Sequence, residues 1–299
     1  MTDRPVAIIG LGLMGEVYAQ RLIDARIPVT GFDIDPARRA RLAEIGGRPV
    51  GAISDLGGAR CILVAVFNTD QVENVIENHL LPALGDRSNQ IVLCMSTCDP
   101  DRVSALAGRV TARGIRFLDM PVSGTSDQVR RGDGVALIGG DIAVAHELKS
   151  VLDALFARRF HVGKIGDGGR AKLAVNLILG LNRLAMAEGL VFAERLGLDP
   201  VAFLDVARGS ASYSQVMETK GPKMVRRDYS PEGRARQTLK DVHLMLDQAA
   251  TVGQKLPMLA LHAGVLEACV RAGEGDMDNS VIIEEVRRRT TVARRGGAS

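Results

Sequence analysis

The chain has 299 residues, enough for one large or two ordinary domains, and its 46% hydrophobic and 24% charged residues can build a sizeable core without disulfide or metal staples. A net charge of +3 with acids and bases interspersed, 3% aromatics and no Trp argue against a surface that stacks nucleic-acid bases. The start, "MTDRPVAIIG", is read as entering a strand without a secretory signal, and the longest apolar stretch, Leu173 to Ala187, is interrupted by Asn176, Asn182 and Arg183, which argues against a membrane span and for a cytoplasmic protein.

In chain order, "PVAIIG" is a short β-branched run, followed by "LGLMGEVYAQRLIDARI" with helical spacing. "PVTGFDID" is a second strand. A helical "PARRARLAEIG", a strand "CILVAV", a helical "TDQVENVIENHLLPAL" and a strand "QIVLCMS" come next. Further strands are expected at "RFLDMPV", "GVALIGG" and "FHVG". This alternation predicts βαβ units and a parallel sheet with helices on both faces. Cys61, Cys94, Cys98 and Cys269 form no C-x-x-C pair, and no histidines stand nearby to complete a metal site. They read as small buried residues of a reducing compartment, with no metal ligand among them.

The turn after the first strand is Gly10-Leu11-Gly12-Leu13-Met14-Gly15, a G-x-G-x-x-G motif that follows a strand and opens a helix. Asp33, 18 residues beyond Gly15, ends the second strand. The first glycine makes the turn, the second lets a pyrophosphate approach backbone, and the third allows close helix–strand packing, with the helix N-terminus facing the phosphates. Asp33 would accept hydrogen bonds from the adenine-ribose hydroxyls and repel a 2′-phosphate, which predicts NAD over NADP. Arg38 and Arg39 are the nearby cations able to soften that preference.

From about 168 to 196 the pattern is helical and apolar on nearly every face, which predicts a long helix buried on all sides. "GLDPVAFLDVA", "GRARQTLKDVHLMLDQAATVG", "PMLALHAGVLEACVRAG" and "SVIIEEVRRR" are helical as well. The reading is an α/β Rossmann domain over 1–164 and an all-α domain over 165–299, joined by the long interdomain helix. An all-apolar helix needs cover, which predicts an oligomer. Arg287, Arg288, Arg289, Arg294 and Arg295 before "GGAS" read as a solvated, frayed tail.

"GDGGRAKLAVN" (166–176) opens the long helix with Lys172 and Asn176 at i and i+4, on one face. Only 7 of the 38 basic residues are lysine. The chain thus uses arginine for ordinary surface charge, and a lysine in an unusual setting points to chemistry, because lysine can give up a proton and arginine effectively cannot. The glycines ahead of it are read as letting a substrate approach backbone.

These segments carry a family resemblance over nearly the whole chain. "AIIGLGLMG", "DMPVSGTSDQVRRGDGVALIGG" (119–140), "GDGGRAKLAVN" and "LKDVHLML" (239–246) resemble the cofactor turn, the substrate segment D-x-P-V-S-G-G, the G-x-G-x-x-x-K-x-x-x-N segment and the later K-D-L segment of the β-hydroxyacid dehydrogenases. The resemblance implies an NAD-dependent 3-hydroxyacid dehydrogenase or reductase, working on a small anionic hydroxy acid or aldehyde as a homo-dimer or homo-tetramer. It puts Lys172 in the place of the catalytic lysine, with Asn176 orienting the same oxygen. Ser123, Gly124 and Thr125 would bind the substrate carboxylate by backbone N–H and hydroxyl groups. Gly10, Gly12, Leu13, Met14, Gly15 and Asp33 would bind NAD, with Phe67, Asn68 and Thr97 on the cofactor side and Lys240 at the nicotinamide end, where it would meet both cofactor and substrate. Three departures stand out: Thr125 replaces the third glycine after P-V-S, Val175-Asn176 replaces Asn-Asn, and Val66-Phe67 replaces Leu-Pro. Rival readings are an imine reductase on the same scaffold, against which Lys172 weighs, and a non-catalytic NAD sensor.

Overall fold

The computed structural model describes residues 4–85 and 89–290. They form two compact units, Met1–Val175 and Asn176–Ser299. The division between them falls inside the long helix.

The first unit alternates strands and helices. β1 (Val6–Ile9), α1 (Leu13–Asp24), β2 (Val29–Phe32), α2 (Pro36–Glu44), β3 (Arg48–Pro49) and β4 (Cys61–Val64) come first. After them come α3 (Thr69–Asn74), a π-helical stretch Val75–Leu80, α4 (Leu81–Leu84), β5 (Ile91–Cys94), α5 (Pro100–Thr111) and β6 (Arg116–Asp119). The unit continues through β7 (Val122–Ser123), α6 (Ser126–Arg130), β8 (Val135–Gly139), α7 (Ile142–Glu147), α8 (Lys149–Leu155) and β9 (Arg158–Gly163). Among the described residues the sheet runs β3-β2-β1-β4-β5-β6-β8-β7, with β9 also paired to β8. The first six strands in that order are parallel, and β8 turns antiparallel against β6. This is the Rossmann order, and it reverses direction between β1 and β4, where a crevice opens beyond the carboxyl ends of the strands. β1, β4 and β5 are buried at every position because helices cover both faces. Ile8, Leu63 and Leu93 face one core layer, and Ile9, Val64 and Val92 face the other.

An Asp-Pro pair starts helices repeatedly. Asp35, Asp99 and Asp199 each accept a backbone N–H as N-cap, and Pro36, Pro100 and Pro200 occupy the first helical position, where a missing N–H costs nothing. The run "TDQVENVIENHLLPAL" reads as one helix but contains the π-helical stretch. Pro82 has no N–H to return to the carbonyl one turn earlier, so the regular ladder cannot pass through unchanged.

α9 (Asp167–Arg195) continues into the second unit. There α10 (Pro200–Arg208), α11 (Val216–Thr219), α12 (Gly221–Arg226), α13 (Ala235–Thr251), α14 (Pro257–Arg271) and α15 (Ile282–Arg288) follow, with α13 packed on α14 and α14 on α15. α9 is not buried on all sides: Ile178 is 60% exposed and Phe192 66%. Arg287–Arg289 do not form a frayed tail. Arg287 and Arg288 lie on α15 and Arg289 just after it: Arg287 pairs with Glu194 and Glu284, Arg288 with Glu274 and Glu285, and Arg289 with Glu285. The helical spacing of Glu284 and Glu285 ahead of them supplies partners at i+3 and i+4. Arg294 and Arg295 lie outside the described residues.

The helical unit is pinned by a buried ion pair. Lys220 Nζ lies 2.8 Å from Asp278 Oδ2 and 3.0 Å from Glu232 Oε2, with Lys220 and Asp278 both fully enclosed. Asp278 Oδ2 also accepts the N–H groups of Glu232 and Gly233, and its Oδ1 accepts Ser280 N–H. Burial pushes the Asp278 carboxyl up, but the Lys220 ammonium and these N–H donors outweigh it and hold the group below its ordinary value. Asp278→Ala strands a buried ammonium and is expected to cost about 3–5 kcal/mol, read as a fall in the urea midpoint of the full chain. A depressed carboxyl stabilises the fold above its unfolded value of about 4, and that contribution is lost as pH falls through the lower folded value. Acid unfolding of the wild type should therefore set in below about pH 4, and circular dichroism checks it.

Candidate active site

The carboxyl edge of the sheet in the first unit gathers most of the residues singled out in the sequence. Gly10 follows β1 at φ +93°, and a Cβ there would lie 2.4 Å from the Ala65 carbonyl oxygen. A Cβ on Gly15 would lie 1.9 Å from the Gly10 oxygen, so α1 can sit against the turn only with glycine at both positions. Gly12 is the N-cap of α1 and no side chain caps the helix, so the first N–H groups, at Leu13, Met14 and Gly15, present an uncapped helix terminus. A pyrophosphate fits that cradle: the backbone is bare, the donors are in place and the helix dipole favours an anion.

Asp33 directly follows β2 and is 5% exposed. Its Oδ2 accepts Leu11 N–H at 2.7 Å and its Oδ1 accepts Asp35 N–H at 2.9 Å, so the carboxylate ties the second strand to the glycine turn. Arg38 Nη1 stands 3.4 Å from Asp33 Oδ2, half-exposed, and 3.4 Å from where a Gly12 Cβ would be. Arg39 donates to the Asp33 carbonyl at 2.5 Å and lies over the Phe32 ring.

Beyond β4, Val66 N–H donates to Ser96 Oγ at 3.0 Å and Ser96 Oγ donates back to the Val66 carbonyl at 2.8 Å. Ser96 thus stitches the Val66–Phe67 loop to the end of β5. The family resemblance pointed to Thr97 and not to Ser96, since a serine at a strand end makes no sequence pattern. Asn68 is the N-cap of α3: its Oδ1 accepts Gln71 N–H, and Gln71 Oε1 accepts Phe67 N–H.

Ser123 ends β7, and Gly124 has φ +136°. Thr125 is the N-cap of α6 in a reciprocal box: its Oγ1 accepts Gln128 N–H at 3.2 Å, and Gln128 Oε1 accepts Thr125 N–H at 2.9 Å. Thr125 N–H is therefore engaged within the protein, contrary to its expected use on a substrate carboxylate. The same box explains why a threonine stands where the related pattern has glycine.

The glycines before Lys172 lie against the protein's own atoms: Gly166 against Ser104, Gly169 against Pro100, and Gly168 against sheet backbone. A Cβ on Gly168 would lie 2.5 Å from the Asp119 carbonyl oxygen, and one on Gly139 would lie 2.7 Å from Gly168 N. Gly169 N–H donates to Asp119 Oδ2 at 2.8 Å. The start of α9 is thus pressed onto the carboxyl ends of β6 and β8. Lys172, in the second turn, is only 6% exposed. Asp167 at the helix start offsets the dipole penalty of a cation so near the N-terminus.

In the helical unit, Asn176 Nδ2 donates to Asp241 Oδ2 at 3.2 Å, and Lys240 Nζ lies 2.9 Å from Asp241 Oδ1. Asp241 is buried and Lys240 mostly so, which is no surface pair. Arg236 is exposed and pairs with Asp276 at 2.6 Å, and Arg234 lies 3.9 Å from the same acid.

A family model described as the NAD binding domain of 6-phosphogluconate dehydrogenase matches residues 5–163, and one described as NAD-binding of NADP-dependent 3-hydroxyisobutyrate dehydrogenase matches 166–286. An L-threonate dehydrogenase of Cupriavidus necator is 30% identical over 94% of this chain and 96% of its own length. A 2-hydroxy-3-oxopropionate reductase of Escherichia coli is 29% identical over 93% of this chain and 96% of its own. A solved structure of 3-hydroxyisobutyrate dehydrogenase from Salmonella typhimurium superposes with a TM-score of 0.87 at 27% identity, covering 94% of this chain and 99% of that one. With a glycine cradle shaped for a dinucleotide and likeness along both units, the chain belongs to the β-hydroxyacid dehydrogenase family and is an NAD-dependent oxidoreductase.

Proposed function

We propose that the chain interconverts a small 3-hydroxy acid and its semialdehyde or keto acid, with Lys172 as the group that takes and returns the proton. The observation that carries this reading is the buried Lys172 ammonium on the helix whose start is clamped to the sheet edge. When bound, NAD supplies the hydride acceptor. The chain's own residues have the remaining work. The uncapped start of α1 at Leu13, Met14 and Gly15 holds the pyrophosphate, and Phe67, Asn68 and Thr97 line the cofactor. The Ser123 hydroxyl, Gly124 N–H and Thr125 hydroxyl hold the substrate carboxylate. Lys172 accepts the carbinol proton in oxidation and donates it to the carbonyl oxygen in reduction, and its cationic form stabilises negative charge on that oxygen. Asn176, one helical turn on, gives one amide N–H to Asp241 and uses the other to orient the same oxygen. Lys240, held by Asp241, adds positive charge for the anionic ligands. The names of the relatives, which include a threonate dehydrogenase and an oxopropionate reductase, support a small oxygenated acid. Arg236, one helical turn before Lys240, is engaged by Asp276 and is given no part in substrate binding. Lys172 weighs against an imine reductase, and turnover of any 3-hydroxy acid excludes a sensor.

Lys172→Met is expected to lower kcat about 10²–10⁴-fold while the Kd for NADH, read by nucleotide fluorescence, stays within twofold of wild type. Retention of near wild-type kcat would remove Lys172 from the chemistry.

The Asp33 carboxylate beside the ribose site favours NAD, and kcat/KM should be about tenfold or more higher with NAD than with NADP. Arg38→Ala should widen that gap, because it removes the cation nearest the site of a 2′-phosphate. A preference for NADP would assign the ribose site to Arg38.

The assembly is expected to be a homo-dimer or homo-tetramer in the cytoplasm. Ile178, Phe192, Leu196, Val201 and Leu261 in the helical unit are all more than half exposed in the single chain and call for cover. Light scattering at micromolar concentration should give at least twice the chain mass, and a monomer would refute it.

A further inference from the structure

Asp119 is a part of the 119–140 segment for which neither the chemistry nor the cofactor has a use. It ends β6, is 1% exposed and has no ion pair among the described residues within salt-bridge distance. A bare carboxylate in that setting is costly unless donors face it. The donors it has are main-chain N–H groups at the start of α9: Gly169 N–H at 2.8 Å on Oδ2, with Gly166 N–H also directed at the carboxylate. Gly169 carries one of the first N–H groups of α9, which no carbonyl within the helix can serve. Asp119 thus caps the helix from fifty residues away, out of the sheet. Its carbonyl oxygen completes the seat, 2.5 Å from where a Gly168 Cβ would be. Lys172 follows Gly169 at i+3, on the same side of the helix.

We propose that Asp119 is a positioning residue: its buried carboxylate, by holding Gly169 N–H, fixes the start of α9 and with it the Lys172 ammonium, and uptake of one proton by Asp119 loosens that hold. The proposal rests on Lys172 as the proton-transfer group.

Burial pushes the Asp119 carboxyl up to about 6, against the lowering effect of the Gly169 and Gly166 N–H groups and of Arg170; Asp167 raises it further. The charged and titratable groups that act on it are the Cys94 thiol on the neighbouring strand β5 and Asp167 and Arg170 on α9, and Arg170 is itself paired to Asp101 on α5. β8 presents only Gly139 opposite it. The carboxylate is therefore the dominant form at pH 7 and the neutral acid at pH 5. Because the folded value lies above the unfolded one, this group's contribution to stability is present in full only below the unfolded value of about 4 and is lost as pH rises through 6. Loss of activity through Asp119 on the acid side should then occur in a folded protein.

The test uses the full chain as wild type, Asp119→Asn and Lys172→Met. Hydrogen–deuterium exchange of the amides of 168–172, corrected for intrinsic rate, reads the clamp without any substrate. In wild type, protection should fall about tenfold between pH 7 and pH 5, while far-ultraviolet circular dichroism is unchanged. Asp119→Asn should show the low protection at pH 7 and no pH dependence. Steady-state oxidation of L-threonate or 3-hydroxyisobutyrate, whichever is turned over, should show an acid-side fall in kcat with an inflection near pH 6. In Asp119→Asn that inflection should vanish and kcat should fall about tenfold with the KM for NAD within twofold. Wild-type protection independent of pH, or a variant with wild-type protection and kcat, overturns the proposal, provided Lys172→Met is inactive. An active Lys172→Met overturns the reading of the lysine instead, and the exchange arm alone then decides whether Asp119 anchors α9.

Discussion

The structure depends on how closely backbone can approach backbone at the carboxyl edge of the sheet. Two helices, α1 and α9, are seated there by their N-termini, and at both seats a single methyl group would be too much. At α1 the clash would be between Gly15 and the Gly10 carbonyl, and at α9 between Gly168 and the Asp119 carbonyl. One edge thereby collects two positive helix ends. The first is left uncapped and suits a diphosphate. The second is filled by a buried carboxylate of the protein itself, and carries a lysine a few residues on.

The difference between the two seats explains which parts of the site could be read in the sequence. The glycine turn was legible because its spacing, its strand and Asp33 all lie within one βαβ unit, so local pattern is enough. The resemblance reached Lys172, Asn176 and Ser123 through short motifs. The clamp beneath Lys172 was not legible, because Asp119 and Gly169 are brought together only by the sheet, and nothing local in either segment names the other. The glycines of "GDGGRAK" were visible, but the neighbours they accommodate were not: Gly168 makes room for the backbone of β6 and β8, while Gly166 and Gly169 lie against Ser104 and Pro100 of α5. Thr125 shows the same limit. Its departure from the motif is a local capping device shared with Gln128.

The helical unit was harder to read for a different reason. Its helices were evident from periodicity, yet which charges pair is set by packing. Lys220, unremarkable in sequence, is the enclosed partner of Asp278, whereas Arg236, at helical spacing from Lys240, turned outward to Asp276. The apolar stripe of α9 predicted burial, and its exposed Ile178 and Phe192 show that hydrophobic periodicity gives the faces of a helix without saying whether the same chain covers them.

The scarcity of lysine, combined with where the seven are placed, has an experimental consequence. Lys172, Lys220 and Lys223 are enclosed and Lys240 is mostly so, which leaves Lys149, Lys164 and Lys255 as the exposed side-chain amines among the described residues. Amine-directed cross-linkers and acylating reagents will therefore sample two points late in the first unit and one in the second, and will be nearly blind to the rest of a surface whose positive charge is carried by guanidinium groups. Distance mapping of this protein needs carboxylate- or arginine-directed reagents, and slow acylation of an enclosed lysine would report opening of the fold around it.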